Sequence, residues 1–214
     1  MKMLALLALA NYATMAPIDQ YRMKAADEIA LAKSAAPPSI ANDAQVLVLG
    51  AHGYLTAAPG TNGFVCVVER AWANQLEDAE FWNPKVRAPI CFNPQGARSV
   101  LAQYLKRTEW VLAGLGKPQI LERTKAALAD KTFTVPEPGS MCYMLSVGGH
   151  LGDSAGHWMP HLMFFLPQTD AASWGGNLPG SPVFVLQSGL ESTTVFLVPV
   201  RNWSDGSPAP DHKP

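Results

Sequence analysis

The sequence predicts an α+β fold: a single domain in which an antiparallel sheet of about five to seven strands packs against two or three helices. Three observations carry this. Four apolar runs, 141–147, 161–166, 183–187 and 193–200, follow one another with no helical periodicity between them, as antiparallel strands do. Two stretches, 96–114 and 118–130, place apolar residues at helical spacing. Two earlier runs, 45–49 and 64–69, are short, apolar and bounded by turn residues.

The elements follow in order. Residue Lys2 precedes an apolar stretch, 3–10, that closes on Ala8, Leu9 and Ala10. A positive charge, an apolar core and small residues make a secretory signal, cut after Ala10; residues 1–16 are assigned to that segment. The other reading is an amphipathic N-terminal helix. Residues 17–203 form the domain. Its first helix is expected over 18–34, with Ile18, Tyr21, Ala25, Ile29 and Ala32 inward and Asp27, Glu28 and Lys33 off the stripe, ended by Pro37 and Pro38. Strand 45–49 follows, with 52–56 able to pair back after Gly50. Residues 60–63, Gly-Thr-Asn-Gly, are a strong turn signal ahead of the next strand.

Residues 73–94 read as an irregular segment, broken at Pro84, Pro89 and Pro94. The clearest helix follows, with Leu101, Tyr104, Leu105, Thr108, Val111 and Leu112 on one stripe and Gly114 and Gly116 at its end. Pro118 opens the next helix. The segment 204–214 is polar and rich in proline, and is read as a disordered tail.

Composition excludes some functions. Charged residues are 15% of the chain and the net charge is -1. There is no Lys/Arg cluster, so nothing points to nucleic acid. No stretch after the signal is long and apolar enough for a transmembrane helix. There are three cysteines. Cys66 on a strand and Cys91 near the end of the irregular segment fit one disulfide that ties that loop down, leaving Cys142 as a buried thiol. The alternative is three reduced core cysteines. A bridge points to a periplasmic or secreted protein.

Three candidate sites stand out. Gly152-Asp153-Ser154-Ala155-Gly156 matches G-x-S-x-G, the turn that exposes a hydrolase nucleophile, with His157 as a nearby base. Its context is poor: an apolar strand, not a helix, follows Ser154. His150, His157 and His161 fall within twelve residues and form a candidate zinc or copper site, with Asp153 as a fourth ligand. The spacing matches no established metal motif. Trp158, His161, Tyr143 and Trp174 could line a groove for a small molecule or an envelope polymer, the alternative being ordinary core aromatics.

Gly60-Thr61-Asn62-Gly63-Phe64-Val65-Cys66, then Pro89-Ile90-Cys91, then Tyr143-Met144-Leu145 and Pro160-His161-Leu162-Met163, resemble the pattern of a group of uncharacterised exported bacterial proteins. The resemblance covers roughly 40–200. It implies an exported single domain with a disulfide, no known activity, and a variable segment ahead of the Pro-His strand.

Overall fold

The structure, a computed structural model, describes residues 12–153 and 156–210. The strands are β1 (Gln45–Leu49), β2 (Tyr54–Ala58), β3 (Val65–Glu69), β4 (Ala88–Phe92), β5 (Met141–Met144), β6 (His161–Pro167), β7 (Phe184–Ser188) and β8 (Thr193–Pro199). They form one eight-stranded sheet in the order β2-β1-β3-β4-β5-β6-β8-β7. Every pairing is antiparallel except β1 with β3. The fold is therefore α+β, with one strand more than the upper end of the expected range.

The parallel pair arises because the hairpin β1–β2 turns outward, and the chain then returns to the inner side of β1. The Gly-Thr-Asn-Gly segment makes that return. The Thr61 and Asn62 N–H groups donate to Asp43 O, and the Asn62 amide donates to Ile40 O. A side chain on Gly60 would stand 2.1 Å from the backbone nitrogen of Gln45. The most conspicuous motif of the sequence is thus a crossing that only glycine permits.

Residues paired directly across strands share a face, so the register divides the sheet in two. Leu47, Val67 and Ile90 stand in one row, and Phe92, Cys142, Met163 and Leu197 in another on the same side. This side packs beneath α3 (Pro94–Gly96), a π turn over Ala97–Leu101, α4 (Ala102–Leu112) and α5 (Lys117–Ala129), burying Leu101, Tyr104, Val111 and Ile120. The opposite side carries Val46, Cys66, Cys91, Tyr143, Leu162 and Val198 in a single row. It lies under α1 (Ala25–Lys33), joined by α2 (Pro38–Ala41) to β1. Ala32, Ala35, Ala36, Ala41 and Ala44 are all buried there, and their small size lets α1 lie close to the sheet.

Cys66 and Cys91 are bonded, with Cα atoms 3.9 Å apart, and Cys142 is free and buried. Two irregular expectations are corrected. The stretch 73–94 is not all loop: β4 lies inside the sheet and carries Cys91. Pro89 is the reason it does not read as a central strand. Val68, its partner across the ladder, turns its carbonyl toward the Tyr54 hydroxyl on the β1 side. The missing N–H of Pro89 therefore faces β5, whose pairing reaches only Cys91 and Phe92. No ladder bond is lost. The first helix is also shorter than expected. Residues Ile18–Gln20 form a single 3-10 turn and α1 begins at Ala25. That frame buries Glu28 and Ala32 one turn apart, reversing the outward placement expected for Glu28.

Near both chain ends, described residues pack on the domain. Tyr12, Met15, Ala16 and Ile18 pack on the core, and the Tyr12 hydroxyl donates to Asp153 (2.6 Å). A cut after Ala10 leaves these residues in place. Residues 1–11 lie outside the described residues. Of the tail, 204–210 folds back: Ser204 N–H donates to Leu145 O and Ala209 N–H to Arg201 O. Residues 211–214 lie outside the described residues.

Candidate functional site

The histidine-rich segment comes first because the sequence singles it out. Ser154 lies outside the described residues. His157 has both ring nitrogens against backbone carbonyls, Nδ1 on Trp158 O at 2.7 Å and Nε2 on Val147 O. Both nitrogens are thus turned onto backbone carbonyls, not toward an acidic side chain or another histidine. Its ring stands edge-on to Trp203. His150 Nε2 is buried without a hydrogen-bond partner among the described residues, 3.9 Å from Asp153 Oδ1. Asp153 itself is held by Lys85 at 3.0 and 3.1 Å and by Tyr12. His161 is buried on the α4 side, its Nδ1 2.8 Å from Met159 O. Among the described residues, no three His, Cys, Asp or Glu side chains are grouped to hold a metal ion.

The four expected ligand-lining residues fall into two groups. Trp158 and His161 meet edge to face on the α4 side (5.8 Å between centroids). Trp158 is core: a side chain on Gly149 would collide with its ring, and its Nε1 donates to Ser146 O. Tyr143 lies on the α1 side, in the row of the disulfide and against Phe64. Trp174 stacks on Phe196, whose row also belongs to the α1 side. The sheet separates the pairs, because alternate residues of a strand project to opposite faces.

A different group gathers where β1 and β3 part. Their pairing ends at Leu47 and Val67, which leaves the Val68 carbonyl and the Leu49 and Arg70 N–H groups to other partners. Side chains fill the opening. Glu28, from α1, accepts from Leu49 N–H (3.1 Å) and from Arg70 Nη2 (2.7 Å), and both of its partners are buried. Arg70 also donates to Tyr21 O and Val68 O. On the other face, Arg70 N–H donates to the Tyr104 hydroxyl (2.8 Å). Tyr54 donates its only proton to Val68 O (2.6 Å), so Tyr104 donates to Tyr54 (2.8 Å). The proton chain has one direction. Burial raises both phenols above their ordinary range.

Beside this chain stands Glu69, the last residue of β3, on the side that faces α4. It is partly buried, and no described residue hydrogen-bonds its carboxyl. Burial pushes it up to about 8, and the Arg107 guanidinium pulls it partly back. Arg107 stems from α4 and is 8% exposed. It donates weakly to Trp72 O (3.3 Å) and Asn74 O (3.4 Å), and pairs with Glu191 from the turn between β7 and β8. Its Nε is buried with no partner among the described residues. The far hairpin thus reaches back to the segment after β3, with the Gln75 amide also touching Gln187 O. Glu69 and Arg107 feel each other's field yet make no ion pair, which would require 4.0 Å or less.

Two hollows open elsewhere on the described surface, and neither is lined by Glu69 or Arg107. One, of about 460 Å³, lies between Met15–Ile18 and Ala51, Val111 and Leu112. The other, of about 440 Å³, is lined by Leu47, Tyr54, Val65, Leu101 and Leu105, with Arg98 at its rim. Neither includes a histidine of the 150–161 segment.

Comparisons with protein-family models, with curated proteins and with solved structures find no match.

The sequence reading missed Glu69, Arg107 and Tyr104. One signal was present. Glu69-Arg70 ends an apolar run that has no acid, lysine or arginine between Asp43 and Glu69. Adjacent charges at the end of a buried strand must each find an environment on opposite faces.

Proposed function

We propose that this is an exported, disulfide-stapled binding domain whose ligand is anchored on the α4 side of β3, between Glu69 and Arg107. One observation carries the reading. Glu69 is a half-buried carboxyl that burial pushes up to about 8 and that no described residue hydrogen-bonds, and it stands beside a guanidinium whose buried Nε has no described partner. A strongly perturbed acid with a charged neighbour is the ordinary mark of a functional position. Near neutral pH Glu69 is largely protonated and donates, and Arg107 Nε donates as well. The Arg107 charge is already met by Glu191. The pair suits a small neutral molecule that presents an acceptor oxygen, such as a carbonyl.

Export is supported by the apolar leader pattern and by the Cys66–Cys91 bridge, since such bonds persist in oxidising compartments. No described helix is long and apolar enough to cross a membrane. The likeness to exported bacterial proteins agrees with this and supplies no ligand.

The test is Glu69→Leu. If the carboxyl is kept for a ligand, its loss leaves the melting temperature unchanged or higher, as happens where function is held at the expense of stability. The same variant abolishes the fluorescence response of the neighbouring Trp72 to carbonyl-bearing ligands. A fall of several degrees in melting temperature would make Glu69 a structural residue and overturn the reading.

A further inference from the structure

The two edges of the sheet are treated differently. At β7 the outward peptide groups of Val185 are already satisfied. The Asn177 side chain donates to Val185 O (3.0 Å) and accepts from Val185 N–H (2.9 Å), as a neighbouring strand would. Asn177 N–H donates to Val183 O, and the residue holds a left-handed φ of 57° to do so. That edge is capped.

At β2 nothing equivalent exists among the described residues. Gly50 N–H donates to Gly53 O, so Gly50 and Gly53 are a hydrogen-bonded pair. Bonded and non-bonded pairs alternate along an antiparallel ladder. Leu49 with Tyr54 is therefore non-bonded, Val48 with Leu55 bonded, and Leu47 with Thr56 non-bonded. The N–H and C=O groups of Tyr54 and Thr56 point away from β1, and no described group meets them. Exposed edges are usually guarded by charge, proline or a covering segment. Residues 44–68 carry no acid, lysine or arginine, and β2 contains no proline. Leu55 is 62% exposed, more than any other large apolar side chain described.

We propose that β2 is the self-association edge of this protein, joining a second copy antiparallel, β2 to β2, about a two-fold axis at Leu55. In that register Tyr54 of one copy pairs with Thr56 of the other as a hydrogen-bonded pair, and the outward groups of both copies are satisfied. Leu55 then meets its own counterpart in a non-bonded pair, where side chains approach more closely. The absence of charge along the edge leaves nothing to repel a second copy. The occupant is a second copy because, among the described residues, each chain has one open edge and one capped edge. A single self-complementary edge closes as a dimer, whereas two open edges would build a filament.

Light scattering after size exclusion, on the oxidised full chain over a range of concentrations, tests this. Wild type is expected at twice the 23.0 kDa chain mass. Leu55→Lys should run at the single-chain mass with its near-UV circular dichroism retained. Leu186→Lys, on the capped edge, should remain a dimer. A single-chain mass for wild type at every concentration overturns the proposal, and so does a Leu55→Lys variant that stays dimeric. Hydrogen exchange of wild type serves if Leu55→Lys does not fold: the Tyr54 and Thr56 amides should gain protection as concentration rises, and their failure to do so overturns the proposal. A wild type that is monomeric but adds a foreign extended peptide at β2 also overturns it.

Discussion

Glu69 and Arg70 are neighbours in sequence and opposites in environment. Arg70 turns under α1 and finds Glu28, Tyr21 O and Val68 O; Glu69 turns toward α4 and finds no hydrogen bond from a described residue. Fully enclosed charge is tolerated where it is paired and hydrogen-bonded, and Arg70 meets that condition. Glu28→Ala should therefore cost about 3–5 kcal/mol, because it strands a buried guanidinium and leaves Leu49 N–H without an acceptor. The double change Glu28→Leu with Arg70→Met should recover a large part of the loss. Urea unfolding of the two single variants and the double variant checks it. Additive losses would mean that the pair does not act as a unit.

Glu69 gives the protein a pH dependence of opposite sign to that of most carboxylates. Its folded value is raised from 4.5 to about 8, so the folded state binds a proton that the unfolded state has released. The contribution is fully present below about pH 4.5 and is lost as pH rises through about 8. The slope has an upper limit of about 1.4 kcal/mol per pH unit, reduced by the solvent that reaches the group. Glu69→Gln should remove it. The measurement is the difference in unfolding free energy between wild type and variant across that window. A flat difference would place Glu69 at an ordinary carboxylate value.

Local pattern carried much of the fold. Helix α4 announced itself through Leu101, Tyr104, Thr108 and Val111, and the strands after residue 140 through apolar runs free of helical spacing. The Cys66–Cys91 bridge was legible because one partner sat on a clear strand. Strand β4 was hidden by Pro89, whose cost vanishes only because of where β5 stops, a fact of register and not of local sequence. The site was hidden for a similar reason. Glu69, the pair Tyr104 and Arg107, and Glu191 come from three elements far apart in sequence, and the reach of the β7–β8 hairpin back toward Trp72 joins them. The histidines were conspicuous because they are close in sequence, but the strand that begins at His161 buries one while backbone carbonyls occupy another.

His161 provides an acid sensitivity. Burial lowers its affinity for a proton below the usual 6.5, and the Met159 carbonyl offsets this only in part. The unfolded state then takes up the proton first. Stability from this group is present above about pH 6.5 and is lost as pH falls through the lowered folded value. His161→Gln should lessen the loss of stability between neutrality and about pH 5. Denaturant midpoints at both pH values decide it. An unchanged loss in the variant would assign the acid sensitivity to other groups.

Thiol counting separates the bridge from the buried cysteine. Cys142 is fully enclosed, and burial raises its thiol well above the ordinary range, so the reactive thiolate is scarce. A native, oxidised sample should give no reaction with an aromatic disulfide reagent. Unfolding without reductant should release one thiol per chain, and unfolding after reduction three. The bridge closes a 25-residue separation, which in the chain-entropy treatment is worth about 3.5 kcal/mol. Replacing Cys66 and Cys91 together with alanine should lower the unfolding free energy by that order while Cys142 stays unreactive in the folded state. Three thiols released on unfolding without reductant would refute the bridge, and a native reaction at Cys142 would show that the sheet opens beneath α4.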